Sequence, residues 1–354
     1  MSGATYKVLL IDDSPLVRAA LSRELRQRPG IAIIGAAEDP VEGGKLVEQL
    51  KPDAIILDLE MPRMDGLTFL RDLQKRRPTP TIIVSSLTVR SRQVALSCLE
   101  AGAIDVFGKP GPGYTIGQLV DDLERVIRNQ PKMRVVTPIT NSSGAGKIAE
   151  PIHPPTATTL IAIGSSTGGP EALRRIFERL PSKLAPIVMT QHMPPGFTAG
   201  LAERLASISG VKVREASDGE PLVPGVALIA PGDRHMRVRK GLGGRLIVTL
   251  SDGPTVSGHR PSVDVLFQSI AEIQGLRALG VLLTGMGEDG AEGLGKLRAA
   301  RYTTVAQDAA SCVVYGMPRV AAERGFVQEV LPLDRMADCI VDFSSGKAVT
   351  RRAA

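Results

Sequence analysis

The sequence has 354 residues, 43% hydrophobic and 23% charged, with a net charge of +6 at pH 7. That length exceeds what one ordinary α/β core supports and points to two domains, and no apolar run reaches the roughly 20 residues that cross a bilayer, which argues against membrane insertion. Lys and Arg outnumber Asp and Glu by 43 to 37, but the two signs are interspersed and aromatic residues make up only 3%, so the charge does not point to nucleic acid.

The chain opens on "MSGATYKVLLIDDSP". A short apolar stretch that ends in two carboxylates, with no basic segment ahead of it, is not a secretory signal, and a cytoplasmic address is expected. Three scattered cysteines, Cys98, Cys312 and Cys339, fit neither a disulfide framework nor a zinc site.

From residue 5 to 128, β-branched runs alternate with amphipathic stretches: "YKVLLI", "LVRAALSRELRQ", "IAIIGAAE", "PVEGGKLVEQL", "DAIILDLE", "GLTFLRDLQKR", "PTIIVSS", "RQVALSCLEAG", "DVFGKP" and "TIGQLVDDLERVIRN". Five strand-helix pairs predict a parallel sheet wound on both faces, a flavodoxin-like (βα)5 domain. In such a sheet the carboxyl ends of the strands share one edge, where sites form. Asp12 and Asp13 follow the first strand, Asp58 the third, Ser85 the fourth and Lys109 the fifth.

Clustered carboxylates repel unless a cation holds them, and hard oxygen ligands suit Mg²⁺. With that charge screened, one carboxylate, Asp58 being central, can attack a phosphoryl group while a lysine and a hydroxyl hold the transferred oxygens. Helix N-caps would explain Asp13 and Asp58 one at a time, but not the convergence of all five groups.

"LLIDDSP", "LDLEMPRMDG", "IIVSS" and "VFGKP" resemble the receiver domain of two-component response regulators. The resemblance implies Asp58 as phospho-acceptor, phosphorylated by a histidine kinase. Asp13, Asp58 and the Glu60 carbonyl would be metal ligands, Asp12 would complete the acidic pocket, Ser85 would be the switch hydroxyl and Lys109 the phosphoryl partner. Val106 stands where a switch aromatic is often found, which departs from the pattern; Phe107 would face the other side of the strand.

"QPKMRVVTPITNSSGAGKIAEPIHPPTA" is rich in Pro, Gly, Ser and Thr without sustained apolar period, and predicts a linker over 129–156 between a domain at 1–128 and another at 157–346. Strands are expected at "TLIAIG", "PIVMTQH", "GVALIAPG", "RLIVTL" and "LGVLLTG", and helices at "EALRRIFERL", "FTAGLAERLAS", "SVDVLFQSIAEI" and "AEGLGKLRAA". This predicts a second doubly wound, mostly parallel α/β domain, with a hairpin turning at Gly241, Gly243 and Gly244.

Between the first of these strands and its helix lies "GSSTGGP", residues 164–170. It lacks the lysine of a phosphate loop and does not match G-x-G-x-x-G. A serine on a sharp strand-to-helix turn can be a nucleophile facing oxyanion donors, or Ser and Thr can simply cap the helix; the local residues fit both. A serine nucleophile needs a base and an orienting acid from neighbouring strand ends. His192, closing "PIVMTQH", is the best placed of the four histidines, and the turn after "LGVLLTG" delivers Asp289 to the same edge. Asp233, Asp264 and Asp308 remain alternative acids on spacing, and Ser165 competes with Ser166.

"AIGSSTGGPEAL", "VMTQHMPPGFT", "LIAPGDRHM", "HRPSVDVLF", "LLTGMGEDGAEGL" and "AQDAASCVVYGMPR" resemble the chemotaxis protein-glutamate methylesterases. The resemblance implies Ser166 as nucleophile, His192 as base, Asp289 as the residue that orients His192, and the Met286 N–H with Thr167 close by as oxyanion donors, with no cofactor for the ester chemistry. It implies demethylation of glutamyl esters on chemoreceptors, deamidation of some glutamines, and a receiver that covers the esterase edge until Asp58 is phosphorylated. His235 and "VVYGMPR" would line the approach. Glu288 departs from the amide or basic residue often found there; a second carboxylate beside Asp289 would raise the pKa of the pair. A response regulator whose output is only a binding module is the alternative, and a DNA-binding output lacks a fitting recognition helix.

Overall fold

The computed structural model describes residues 5–61, 64–86, 88–111, 114–128, 148–150 and 158–348. They form two compact units, one within residues 1–140 and the other within 141–354.

The first unit has strands β1 (Tyr6–Ile11), β2 (Ile31–Ala37), β3 (Ala54–Leu57), β4 (Thr81–Ser85) and β5 (Asp105–Gly108). Helices α1 (Pro15–Arg26), α2 (Pro40–Leu50), α3 (Gly66–Arg76), α4 (Val89–Glu100) and α5 (Ile116–Arg128) alternate with them. The sheet is parallel, in the order β2-β1-β3-β4-β5, so the expected (βα)5 arrangement is present. The continuous apolar runs of β1 and β3 are buried on both faces, as a sheet covered by helices requires. Four helices start on side-chain caps: Ser14, Asp39, Asp65 and Thr88 each accept a backbone N–H of the first turn. Asp13 and Asp58 are not among them, which leaves both carboxylates for other work.

The second unit contains β6 (Thr159–Ser165), α6 (Gly169–Phe177), β7 (Ile187–Gln191), α7 (Phe197–Ile208), β8 (Lys212–Glu215) and β9 (Val226–Ile229). Then come β10 (His235–Lys240), β11 (Leu246–Ser251), α8 (Val263–Ala271), β12 (Arg277–Leu282), α9 (Ala291–Ala299), β13 (Thr303–Gln307), α10 (Met317–Glu323), β14 (Glu329–Leu331) and α11 (Leu333–Ser344). Its main sheet is parallel in the order β14-β13-β12-β6-β7-β9-β8, while β10 and β11 form the expected antiparallel hairpin apart from it. From β6 the chain steps to β7 on one side and returns as β12 on the other, so β6 is where the winding reverses. In open α/β sheets, sites form at the carboxyl ends of strands at such a reversal.

Of the stretch predicted as linker, Ile148 donates its N–H to the Arg179 carbonyl, and Glu150 accepts from Ser182 and Lys183 of the second unit. Apart from Ala149, the remainder of 129–156 lies outside the described residues.

Candidate active site

Ser166 follows β6 directly. The cap position of α6 is held by Gly168, at φ 77°, and not by Ser166 or Thr167. The two serines are separated by what Gln191 does. Ser165 is buried and donates its hydroxyl to Gln191 Oε1 at 2.7 Å, whereas Gln191 Nε2 donates to the backbone carbonyls of Ser166 and His192 at 3.0 Å. The Ser165 oxygen is engaged in bracing the turn, and the Ser166 hydroxyl is the one left at the strand end.

Small residues are demanded here by contact. A Cβ on Gly169 would lie 2.8 Å from Ser165 Cβ and collide with Gln191 Oε1, and one on Gly285 would lie 2.8 Å from Ser166 Cβ. Gly164 leaves room for Val263 in the same way.

His192 follows β7, and its backbone N–H donates to the Ser165 carbonyl at 3.1 Å, which ties it beside the serine turn. Its ring Nε2 lies 2.7 Å from Asp289 Oδ2, and its Nδ1 is buried with no hydrogen-bond partner among the described residues. Asp289 is buried. Beyond His192 it accepts the Ser262 hydroxyl at 2.7 Å and the backbone N–H groups of Val263 and Asp264 at 2.7 and 3.1 Å. Those two N–H groups belong to the first turn of α8, where the helix favours negative charge. Burial pushes this carboxyl up, but the His192, Ser262 and Val263 bonds outweigh it and hold Asp289 at about 2. An ionised carboxylate only accepts, so Nε2 carries a proton and Nδ1 of the neutral ring is the free base.

The alternative acids are used elsewhere. Asp233 pairs with Arg260 at 2.6 Å, and Asp308 accepts the Ser311 N–H and hydroxyl. Asp264 is buried and accepts the Gly293 N–H at 2.6 Å, and burial together with the Asp289 charge pushes it up to about 6. The second carboxylate beside Asp289 is therefore Asp264. Glu288 instead reaches the exposed Arg324 at 2.7 Å.

The peptide after Gly285 has its carbonyl fixed by two donors, the N–H groups of Gly316 and Met317 at 3.1 and 2.9 Å. In a planar trans peptide the next N–H, that of Met286, points the opposite way. Thr167 is buried, its carbonyl accepting the Thr284 hydroxyl at 3.0 Å.

His235 does not line an approach. It is buried, its Nδ1 accepts the Ser262 N–H at 3.2 Å, and Nε2 therefore donates to the Pro254 carbonyl at 2.9 Å. It braces the start of α8. The residues that spacing could not single out, Gln191, Ser262 and Gly285, act through backbone groups and contacts that only the fold brings together.

In the first unit, carboxylate oxygens of Asp12, Asp13 and Asp58 lie within 4.8 Å of one another. Lys109 Nζ reaches Asp58 at 2.7 Å and Asp12 at 3.0 Å. Burial pushes Asp58 up to about 6 against the pull of Lys109. The Ser85 hydroxyl is buried, with no hydrogen-bond partner among the described residues. The Glu60 carboxylate is turned to Ser86 and Ser91. Val106 is buried and Phe107 half-buried on the other face of β5, so the two alternate as expected. The converging hard oxygens fit a Mg²⁺ ion.

No described helix is long and apolar enough to cross a membrane. The family model for CheB methylesterase matches residues 161–340, and that for the response regulator receiver domain matches residues 8–124. A protein-glutamate methylesterase/protein-glutamine glutaminase of Anaeromyxobacter dehalogenans is 48% identical over 342 residues, covering 94% of this chain and 93% of that protein. One from Pseudomonas aeruginosa is 44% identical over 336 residues, covering 94% and 95%. Among solved structures, the Thermotoga maritima CheB methylesterase catalytic domain is similar over 53% of this chain and 99% of its own, at 40% identity and a TM-score of 0.51. With a serine turn, a histidine and a buried carboxylate gathered at the reversal of one parallel sheet, and an acidic pocket at the edge of the other, the chain belongs to the CheB methylesterase family of response regulators.

Proposed function

We propose that this chain removes methyl groups from glutamyl γ-esters of chemoreceptors, and deamidates particular glutamines there, with Ser166 as nucleophile. The observation that carries the reading is the position of His192, tied by its backbone to the serine turn, hydrogen-bonded to Asp289 through Nε2, and with Nδ1 buried and unpartnered. Ser166 Oγ attacks the ester carbonyl while His192 Nδ1 takes its proton, and the proton then goes to the departing methoxide. Methanol leaves, and water, deprotonated by the same nitrogen, hydrolyses the acyl-enzyme; ammonia leaves in the amide case. Asp289 holds the ring and its imidazolium charge, and the Met286 N–H, with Thr167 close by, stabilises the oxyanion.

The regulatory part is a receiver over 1–128, joined through a linker at 129–156 to the esterase at 157–346, all in the cytoplasm. Asp58 accepts a phosphoryl group from a histidine kinase. Asp13, Asp58 and the Glu60 carbonyl would hold Mg²⁺, with Asp12 completing the pocket. A bound Mg²⁺ ion supplies neutralisation of the phosphoryl charge. Lys109 and Ser85 hydrogen-bond the transferred oxygens, and the change in their partners shifts the population towards the more active esterase. A tenfold gain requires only about 1.4 kcal/mol of differential stability. The direct test is chemical trapping: a fluorophosphonate is expected to label the chain at Ser166, located by peptide mass spectrometry, and labelling of Ser165 instead would overturn the assignment.

A further inference from the structure

The His259 ring lies face to face on that of His192, with centroids 3.7 Å apart and planes inclined by 13°. Its loop is braced on both sides. Val256 and His259 exchange two backbone hydrogen bonds of 3.0 Å around Ser257 and Gly258, both at positive φ, 53° and 79°. That is the two-residue turn that closes a tight hairpin. Ser257 donates its hydroxyl to Asp264 Oδ2 at 3.3 Å, and Arg260 donates to Asp233 and to the carbonyls of Asp252 and Gly253. Two residues further on, Ser262 donates to Asp289. The loop that carries His259 is thus fastened to the same carboxylate that holds His192.

His192 needs this support. Among the described residues its ring makes one hydrogen bond, to Asp289, and one such bond leaves the ring plane free to tilt. A flat neighbour in van der Waals contact over the whole face resists tilting, because tilting opens the stack. We propose that His259 is a positioning residue whose ring face fixes the plane of His192, so that Nδ1 stays directed at Ser166. The inference rests on the reading of Ser166, His192 and Asp289 as the reacting set. It requires a flat ring at 259.

The experiment measures methanol release from a methylated receptor fragment by the full-length chain with acetyl phosphate and Mg²⁺, giving kcat and KM for the parent, His259→Phe and His259→Leu. Each variant is assayed well below its own melting temperature, so that all are folded. His259→Leu is expected to lower kcat about three- to tenfold with KM within twofold, and His259→Phe to keep kcat within about twofold of the parent. A leucine variant as fast as the parent, a phenylalanine variant as slow as leucine, or a change confined to KM would each overturn the proposal. Ser166→Ala, run alongside, separates the two ideas: activity in that variant would overturn the underlying serine reading, whatever position 259 does.

Discussion

Asp289 holds His192 through a single 2.7 Å hydrogen bond to Nε2, while three donors from Ser262, Val263 and Asp264 hold Asp289 itself. The carboxylate thereby selects the tautomer in which Nδ1 is unprotonated. In Asp289→Asn the side-chain amide can donate to Nε2 and favour the opposite tautomer, in which Nδ1 cannot take the serine proton. The expected result is a fall in kcat of about 10³ to 10⁴ with KM little changed. Steady-state kinetics on the phosphodonor-treated enzyme checks this, and a loss under tenfold would contradict the role.

Asp264 sits beside this pair with its carboxyl raised from 3.8 to about 6 by burial and by the Asp289 charge. A carboxyl raised in the folded state contributes stability that is fully present below its unfolded value and is lost as pH climbs through the folded one. Asp264→Asn, which can still accept the Gly293 N–H, has no proton to lose. Its melting temperature relative to the parent is expected to rise between pH 4 and pH 7 by roughly 5–10 °C, and paired melts across that range check the sign. A flat or falling difference would show that the pair does not titrate in this way.

Gly169 is required by what surrounds the turn, since its backbone is helical and accepts any side chain. The added methyl of Gly169→Ala meets Ser165 Cβ and the Gln191 amide, the two groups that brace Ser166. Overpacking of this kind costs about 1–3 kcal/mol. Urea unfolding is expected to show that loss together with reduced kcat; an unperturbed midpoint would mean that the turn yields easily.

In the receiver, the Ser85 hydroxyl has no hydrogen-bond partner among the described residues, and Lys109 bridges Asp12 and Asp58. Asp58→Asn is expected to keep the activity measured without phosphodonor and to lose all stimulation by acetyl phosphate, and Ser85→Ala to weaken that stimulation. The ratio of rates with and without the phosphodonor reads both. Stimulation that persists in Asp58→Asn would place the phospho-acceptor elsewhere.

The alternation of buried runs and amphipathic stretches made both sheets legible in the sequence, because parallel strands covered on two faces read as continuous apolar segments. Of the elements outside the predicted set, β8 is a four-residue edge strand, β14 has three half-buried residues and α10 is seven residues long, but β13 is an interior strand of five residues, four of them buried. The helix α11 is different, since Leu333, Met336, Ala337, Ile340 and Val341 are buried at helical spacing that the sequence displays. In the site, His192 and Asp289 were accessible because they follow strands. What favours the proposed Ser166 over Ser165 was not accessible from local residues, since it rests on Gln191, 26 positions from Ser165. Asp264 looked like a competitor for Asp289 by spacing and turned out to be its neighbour, because α8 brings its N-terminus to the same carboxylate.

The measurement that bears most directly on the whole account is methanol release from a methylated chemoreceptor fragment by the full-length chain, parent against Ser166→Ala, each with and without acetyl phosphate. The parent is expected to release methanol faster with the phosphodonor, and Ser166→Ala to fall by at least about 10³-fold in both conditions. Methanol release by Ser166→Ala at a rate near that of the parent would contradict the serine mechanism.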